Sequence, residues 1–414
     1  MNLKRCTWMG VVMFAGLTAM VVAQNRPAAD WTQWRGPNRD GAVASFTEPT
    51  SWPENLTQKW KVDVGLGYAS PLVVGNRLYL FSRQAGDEVM SAIDPETGKG
   101  IWRTAYPVTF TMNAAAARHG AGPKSTPVFA NGRLYSIGMT GIVSAFDAAT
   151  GKLLWQKPGS PIVPMYTSHA FSPLVDRGLV IFHVGGHMQG ALTAFDVTTG
   201  DVKWSWSGDG PGYGSPIVAE LGGTRQIITI TQGKIVSVDP ATGAVLWERP
   251  YVSSNFTNAV TPIQYGQTII VSGNGGPTMA LTATKQNNQW VTQNVWENAD
   301  IPFRLSNGVI VGDALLGLTS KNSGQYFSVD AKTGKTLWTS DARQAGQAAI
   351  VHAGNVVFSL QDDGNLVVFR SGPTAVQTVH KYTVAQSETW TQPTILGNRV
   401  FVKDVSTLAL WTLN

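Results

Sequence analysis

The chain is 414 residues long, 43% hydrophobic and 14% charged, with 44 glycines, 22 prolines and a formal charge of +5. This composition excludes a coiled coil or a disordered polyelectrolyte and suits many short strands joined by turns. The positive charge is spread without a Lys/Arg run, which argues against nucleic acid. The one cysteine, Cys6, sits so early that disulfides, thiolate metal sites and a Cys nucleophile are excluded from the body of the chain.

In chain order, residues 1–23 read as a secretory signal peptide. Lys4 and Arg5 form a positive head, residues 7–22 an apolar run, and Val21-Val22-Ala23 a small-residue cleavage site before Gln24. An uncleaved membrane anchor is the other reading, disfavoured by the short apolar core. The expected location is therefore the periplasm or the cell exterior, with no membrane span once the signal is removed. Without mature cysteine such a protein must be held by packing alone. Residues 24–55 form a leader in which Trp31, Trp34 and Trp52 are expected to anchor against the body of the chain, as a lid over a funnel.

From residue 56 to 414 the chain is repetitive. An Asp, two residues, Thr-Gly, three residues and Trp recur at 94–102, 147–155, 196–204, 239–247 and 330–338. The Asp-to-Asp steps are 53, 49, 43 and 91 residues, the last about two of the others, which is the period of a closed repeat fold. Residues 126–156 give the plainest unit: a strand to Ala130, an Asn131-Gly132 type I′ turn, a strand at 133–137, a strand at 142–146, the signature turn and a strand at 152–156. Four short antiparallel strands make a propeller blade. In the signature turn the Asp side chain accepts turn amides, the Gly takes the left-handed conformation, and the Trp packs between neighbouring units.

Blades begin at a small residue followed by Pro: Ser70, Thr126, Ser172, Ser215 and Thr261. Degenerate starts come after them at Ser306-Asn307, Ala349-Ile350 and Gln392-Pro393. The outermost-strand aromatics are Trp102, Trp155, Trp204, Trp247, Trp296, Trp338, Tyr382 and Trp60. Both series count eight, so the expectation is an all-β, eight-bladed β-propeller of four-stranded antiparallel blades. Residues 59–64 supply the missing strand of the last blade, pairing the chain ends and leaving no open edge. Seven blades plus a loop is the alternative.

Residues 92–102 and 145–155 fit the tryptophan-docking motif of pyrroloquinoline quinone (PQQ) repeat propellers at every defined position. The other copies vary slightly, with Asp201 in place of Lys, and Ser237 and Ser328 in place of the first Ala. The chain resembles the PQQ-like β-propeller family over residues 56–414, and residues 31–41 are similar to the segment preceding the propeller in exported bacterial members. The resemblance implies one of two functions. Quinoprotein dehydrogenases hold PQQ and Ca²⁺ on the axis and oxidise alcohols or sugars. The propeller lipoprotein of the outer-membrane β-barrel assembly machine is a scaffold without cofactor. The chain departs from both: it has no adjacent cysteines, few long insertions and no recognisable Ca²⁺-binding Glu/Asn/Asp set, and Gln24 stands where a lipidated cysteine would be.

The residues two before each blade start are expected to face the funnel: Tyr68, Lys124, Ala170, Tyr213, Ala259, Arg304, Gln347 and Trp390, with His169 beside the gap at Ala170. Aromatics that stack and cations that pair with carboxylates suit a planar anion such as PQQ, another aromatic acid or a carbohydrate. A water-filled funnel without a ligand is the bland alternative. His183 and His187 flank a Gly-Gly step, where a solvated hairpin competes with metal ligation. His119, in a Gly-rich loop, is the best acid/base candidate against a surface-loop histidine. No phosphate loop or nucleophile elbow is present, and no catalytic or metal-ligating residue is assigned. The reading is an exported, monomeric, non-catalytic binding or scaffold protein of the bacterial cell envelope, with a protein or a small anionic or carbohydrate ligand at the funnel. The alternative is a PQQ-dependent oxidoreductase with Ca²⁺.

Overall fold

The computed structural model describes residues 30–43, 45–164 and 168–414; the expected signal peptide at 1–23 lies outside them. The turn-rich repeats fold as eight four-stranded antiparallel sheets. Blades 1 to 7 occupy residues 72–107, 128–157, 174–206, 217–250, 263–298, 309–339 and 348–383. Blade 8 combines residues 394–412 with the strand Thr57–Asp63, which pairs antiparallel with Thr407–Thr412 and closes the ring. Within each blade the strands are lettered a to d from the axis outward. In blade 2 they are Val128–Ala130, Arg133–Ile137, Val143–Asp147 and Leu153–Lys157. Asn131 and Gly132, at φ of 49° and 73°, form the expected turn. Among the described residues no helix is long and apolar enough to cross a membrane.

The signature turn joins one blade to the next. Each c–d pair carries a register shift, and in six blades it sets the Trp opposite a small residue: Ala92, Ala145, Ala194, Ser237, Ala280 or Ser328. The first motif position is small because it lies under the indole. The indole N–H then donates to the carbonyl just after the signature Asp of the following blade. Trp102 reaches Ala148 O at 3.2 Å, Trp155 reaches Val197 O at 3.2 Å, Trp204 reaches Pro240 O at 3.0 Å and Trp296 reaches Ala331 O at 3.0 Å. Trp60 does the same to Pro95 O at 3.1 Å, across the closure. Blade 5 has an Asn287-Asn288 turn instead of the signature. Trp247 of blade 4, which faces it, turns back to Gln226 Oε1 of its own blade at 2.7 Å. The Asp itself holds the turn: Asp94 Oδ1 accepts from the amides of Glu96 and Thr97 and from the Thr97 hydroxyl. These bonds lower the Asp94 and Asp147 carboxyls below their ordinary range.

At the inner end, the starting Ser and Thr residues form a hydrogen-bonded ring. The backbone N–H of Ser70 donates to Thr126 Oγ1, Thr126 to Ser172 Oγ, Ser172 to Ser215 Oγ and Ser215 to Thr261 Oγ1, at 3.0–3.2 Å. Thr261 donates to the Asn307 side-chain carbonyl at 2.8 Å, and the last blade returns from Gln392 N to Ser70 Oγ at 2.9 Å. Blade 7 lacks the hydroxyl and reverses the direction: Ala348 N donates back to Ser306 Oγ at 3.1 Å. The Pro that comes after most starting residues has no N–H needing a partner.

The leader runs along the axis against the inner strands and does not cover the funnel as the lid expected of it, while Trp31 and Trp52 anchor it in the core as expected. Trp31 pairs with Val73 of blade 1, and Thr32 O accepts from Phe129 N of blade 2. The Arg39 guanidinium donates to Ser172 O, Pro173 O and Pro216 O on blades 3 and 4. Trp34 reaches Thr261 of blade 5, and Arg35 reaches Gly308 O of blade 6 at 2.6 Å. Ala42–Val43 adds a fifth, parallel strand to blade 7, which no sequence pattern marks. Both guanidiniums are buried, and burial lowers Arg39 to about 9 and Arg35 to about 10. The apolar core lies mostly in the seams between blades. Its largest cluster joins blades 7, 8, 1 and 2 to Trp31 and Leu56, with Phe46 and Trp52 packed against it, where the chain ends meet.

These contacts set the cost of two kinds of substitution. A Cβ on Gly151, at φ +75°, would stand 2.4 Å from the Trp102 ring, whereas one on Gly132, at φ +73°, meets nothing within 4 Å. Gly132→Ala is expected to cost about 1 kcal/mol in denaturant unfolding, from backbone strain. Gly151→Ala should cost about 3 kcal/mol, the excess being the collision with the indole. Arg39→Met, which strips three inward carbonyls of their donor, should cost about 2–4 kcal/mol in the same assay.

Candidate functional site

Above the ring of starting residues the chain opens into a cavity of about 340 Å³. Ser172, Ser215 and Asn307 of that ring line it, and the Trp34 indole, fixed by its N–H to Thr261 Oγ1 at 3.0 Å, forms its floor. Seven of the eight positions two before a blade start line the wall: Tyr68, Lys124, Ala170, Tyr213, Ala259, Arg304 and Trp390. Loop residues Ala116, His119, Asn255, Thr257 and Asn274 complete it. The spacing rule works because the starting residue is pinned in the ring, so the chain two residues upstream must arrive over the axis.

The electrostatics are one-sided. Among the described residues Lys124 and Arg304 line the cavity and no Asp or Glu does. The Lys124 ammonium donates to the carbonyls of His119, Gly120 and Gly122 at 2.8–2.9 Å and stands 5.0 Å from the Tyr68 ring centroid. Burial, helped by the charge of Lys403, lowers it to about 7. Lys403 is itself buried, capped by Gly65 O, Asp404 O and Val405 O, and lowered to about 8. Arg304 is exposed to the cavity and forms no salt bridge among the described residues. Trp390 donates its indole N–H to Glu388, meets His119 edge-on at 4.7 Å and leans on Tyr68 at 6.4 Å.

Two expected members stand outside the cavity. Gln347 is buried and does not line it. In blade 7 the ring contact is made by Ala348 N, so Gln347 lies one residue from the ring instead of two. His169 is buried behind the wall, its Nδ1–H toward Met139 O at 3.2 Å and its Nε2 accepting from Gly185 N at 3.2 Å; burial lowers it to about 4. It is a neutral bracket between blades. His183 is likewise buried, against Phe171 and Trp206, with Nε2 on Asp209 O, which corrects the solvated-hairpin reading at that position. His187 packs on Phe256 instead. Among the described residues no group of three His, Cys, Asp or Glu side chains is placed to hold a metal ion. His119 does line the cavity. Trp34, whose only sequence signal is the aromatic-rich leader, and the amides Asn255 and Asn274, which have none, escape the spacing rule.

Among known proteins, the family model described as outer membrane protein assembly factor BamB matches residues 85–314, 292–375 and 327–414. An outer membrane protein assembly factor BamB from Burkholderia pseudomallei is 26% identical over 340 residues, covering 76% of this chain and 79% of that protein. The dehydrogenase subunit of an alcohol dehydrogenase (quinone) from Komagataeibacter europaeus is 30% identical over 161 residues, covering 36% of this chain but 21% of that protein. The crystal structure of quinohemoprotein alcohol dehydrogenase from Comamonas testosteroni superposes with a TM-score of 0.66 at 16% identity, over 93% of this chain and 80% of that one, which establishes shared fold.

The state of Lys124 is open to measurement. Its folded pKa is depressed, so above pH about 7 the folded chain sheds a proton that the unfolded chain keeps to about pH 10. The penalty for burying the charge is full below pH 7 and relieved as pH rises. Unfolding free energy of the wild type minus that of Lys124→Met should therefore climb between pH 6.5 and 9, read by urea denaturation. A flat difference would mean that the amine stays solvated.

Proposed function

The chain belongs to the family of PQQ-like β-propellers described as outer membrane protein assembly factor BamB, and from that premise we propose that it is an exported, non-catalytic binding or scaffold protein of the bacterial cell envelope, acting in outer membrane protein assembly. One observation carries the reading: likeness to the assembly factor runs through three quarters of both chains, while likeness to the quinone dehydrogenase covers about a third of this one and a fifth of the other. A propeller whose axis is filled by its own leader has its free surface in rims and loops, which suits contact with protein partners.

The quinoprotein alternative draws support from Lys124, Arg304 and Trp390 sharing one cavity. The residues do not fit its metal. Ca²⁺ takes six to eight oxygens with carboxylates among them, and among the described residues this lining offers the cations Lys124 and Arg304 and no carboxylate.

Deleting the chain from its host should lower the outer-membrane content of β-barrel proteins and be complemented by the wild-type chain. Purified protein given PQQ and Ca²⁺ should show no dye-linked oxidation of ethanol or glucose. Normal barrel content on deletion, or PQQ-dependent oxidation, would sink the scaffold reading.

A further inference from the structure

We propose that the cavity over the axis is a metal-independent binding site for a small planar organic dianion, such as an aromatic dicarboxylate. The inference does not depend on the scaffold reading, because it concerns the purified chain and one ligand class.

Four features of the lining carry it. The first is charge: Arg304 and Lys124 face the space with no carboxylate between them. The nearby acid, Glu388, is outside the lining and accepts the Trp390 indole N–H at 3.1 Å. An unbalanced pair of cations in a partly dry pocket is relieved by an anion and opposed by a cation.

The second is a division of labour between the two cations. Lys124 gives its three N–H bonds to the carbonyls of His119, Gly120 and Gly122, so it offers a field and not a free donor. Arg304 is exposed and engaged in no hydrogen bond or salt bridge among the described residues. Its planar fork is the group that can take a carboxylate with two parallel bonds.

The third is shape. Trp34 and Trp390 donate their indole N–H groups to Thr261 and Glu388, so what they can present to the cavity is ring surface. Tyr68 and Tyr213 stand in the same wall. Such walls suit a flat ligand, while the amides of Asn255 and Asn274 supply neutral hydrogen-bonding groups at its edge. The fourth is size: about 340 Å³ is at the small end of ligand pockets and takes one ring with its substituents. With no carboxylate in the lining, a divalent metal has no part in the site, and an anion held here uses the guanidinium and the ammonium field instead.

The test is titration calorimetry of the full mature chain with isophthalate at pH 6, below the value of about 7 to which Lys124 is lowered, in EDTA and then in Ca²⁺. Isophthalamide serves as the uncharged isostere and methyl glucoside as the carbohydrate probe. Saturable 1:1 binding of isophthalate in EDTA is expected, unchanged by Ca²⁺ and at least about tenfold tighter than isophthalamide. Arg304→Ala should weaken it about tenfold or more, and Arg304→Lys should restore part of the loss. Arg304 is exposed, so both variants are expected to keep the wild-type melting temperature. Any one of four results overturns the proposal: no saturable binding up to about 10 mM, equal affinity for isophthalamide, tighter binding of methyl glucoside, or dependence on Ca²⁺. Affinity unchanged in Arg304→Ala would place the anion elsewhere and overturn the site.

Discussion

Eight innermost strands meeting around one axis leave their inner edges facing each other with unpaired backbone groups, and everything else in this protein is arranged around that constraint. The ring of starting Ser, Thr and Asn side chains satisfies the N–H groups. The leader satisfies carbonyls through two arginines that, among the described residues, form no salt bridge and bond to backbone oxygen and one glutamine. Burying an unpaired charge is costly, but a guanidinium surrounded by carbonyl dipoles is a solvated ion whose solvent is protein. The ring also fixes the angle at which each blade is launched. The side chains two residues upstream therefore converge as the cavity wall.

The periphery obeys a second rule built from the same economy of groups. One short phrase provides a turn, a register shift, an indole and the small residue beneath it, and the glycine of the next turn leaves room for that indole. The phrase is missing in blades 5 and 7: facing blade 5, Trp247 finds a partner in its own sheet, while facing blade 7, Trp338 still reaches across to Gly372 O. The seams between blades 2 and 3, 3 and 4, and 5 and 6 are separate apolar clusters, each closed by an indole hydrogen bond at the rim.

The periodic parts of this design are legible in the sequence. Blade number, closure and most of the cavity wall come from repeated local chemistry, and the strand at Arg133–Ile137 has the bounds expected of it. What the sequence hides is non-local. Arg35 meets a carbonyl 273 residues away and Arg39 one 177 residues away, and no local pattern marks such a contact. Gln347 falls outside the cavity because blade 7 has no hydroxyl at its start and so offers no phase marker. His169 departs from its expected place because its partners lie in a neighbouring blade. The site is therefore legible where the repeat dictates position and illegible where one side chain answers to the fold as a whole.

The leader's path gives the molecule an order of assembly. Synthesis delivers the axle before the wheel: residues 31–63 exist before any blade, yet their last strand pairs with Thr407–Thr412, the last strand of the chain. Trp31 and Arg39 meet blades 1, 3 and 4, but Arg35, Ala42–Val43 and the strand Thr57–Asp63 have no partner until blades 6, 7 and 8 are made. Bringing ends so far apart together is slow, and it makes native structure a late, collective event. Such a chain is badly matched to truncation, since losing the final strand would leave the axle without a rim to lock.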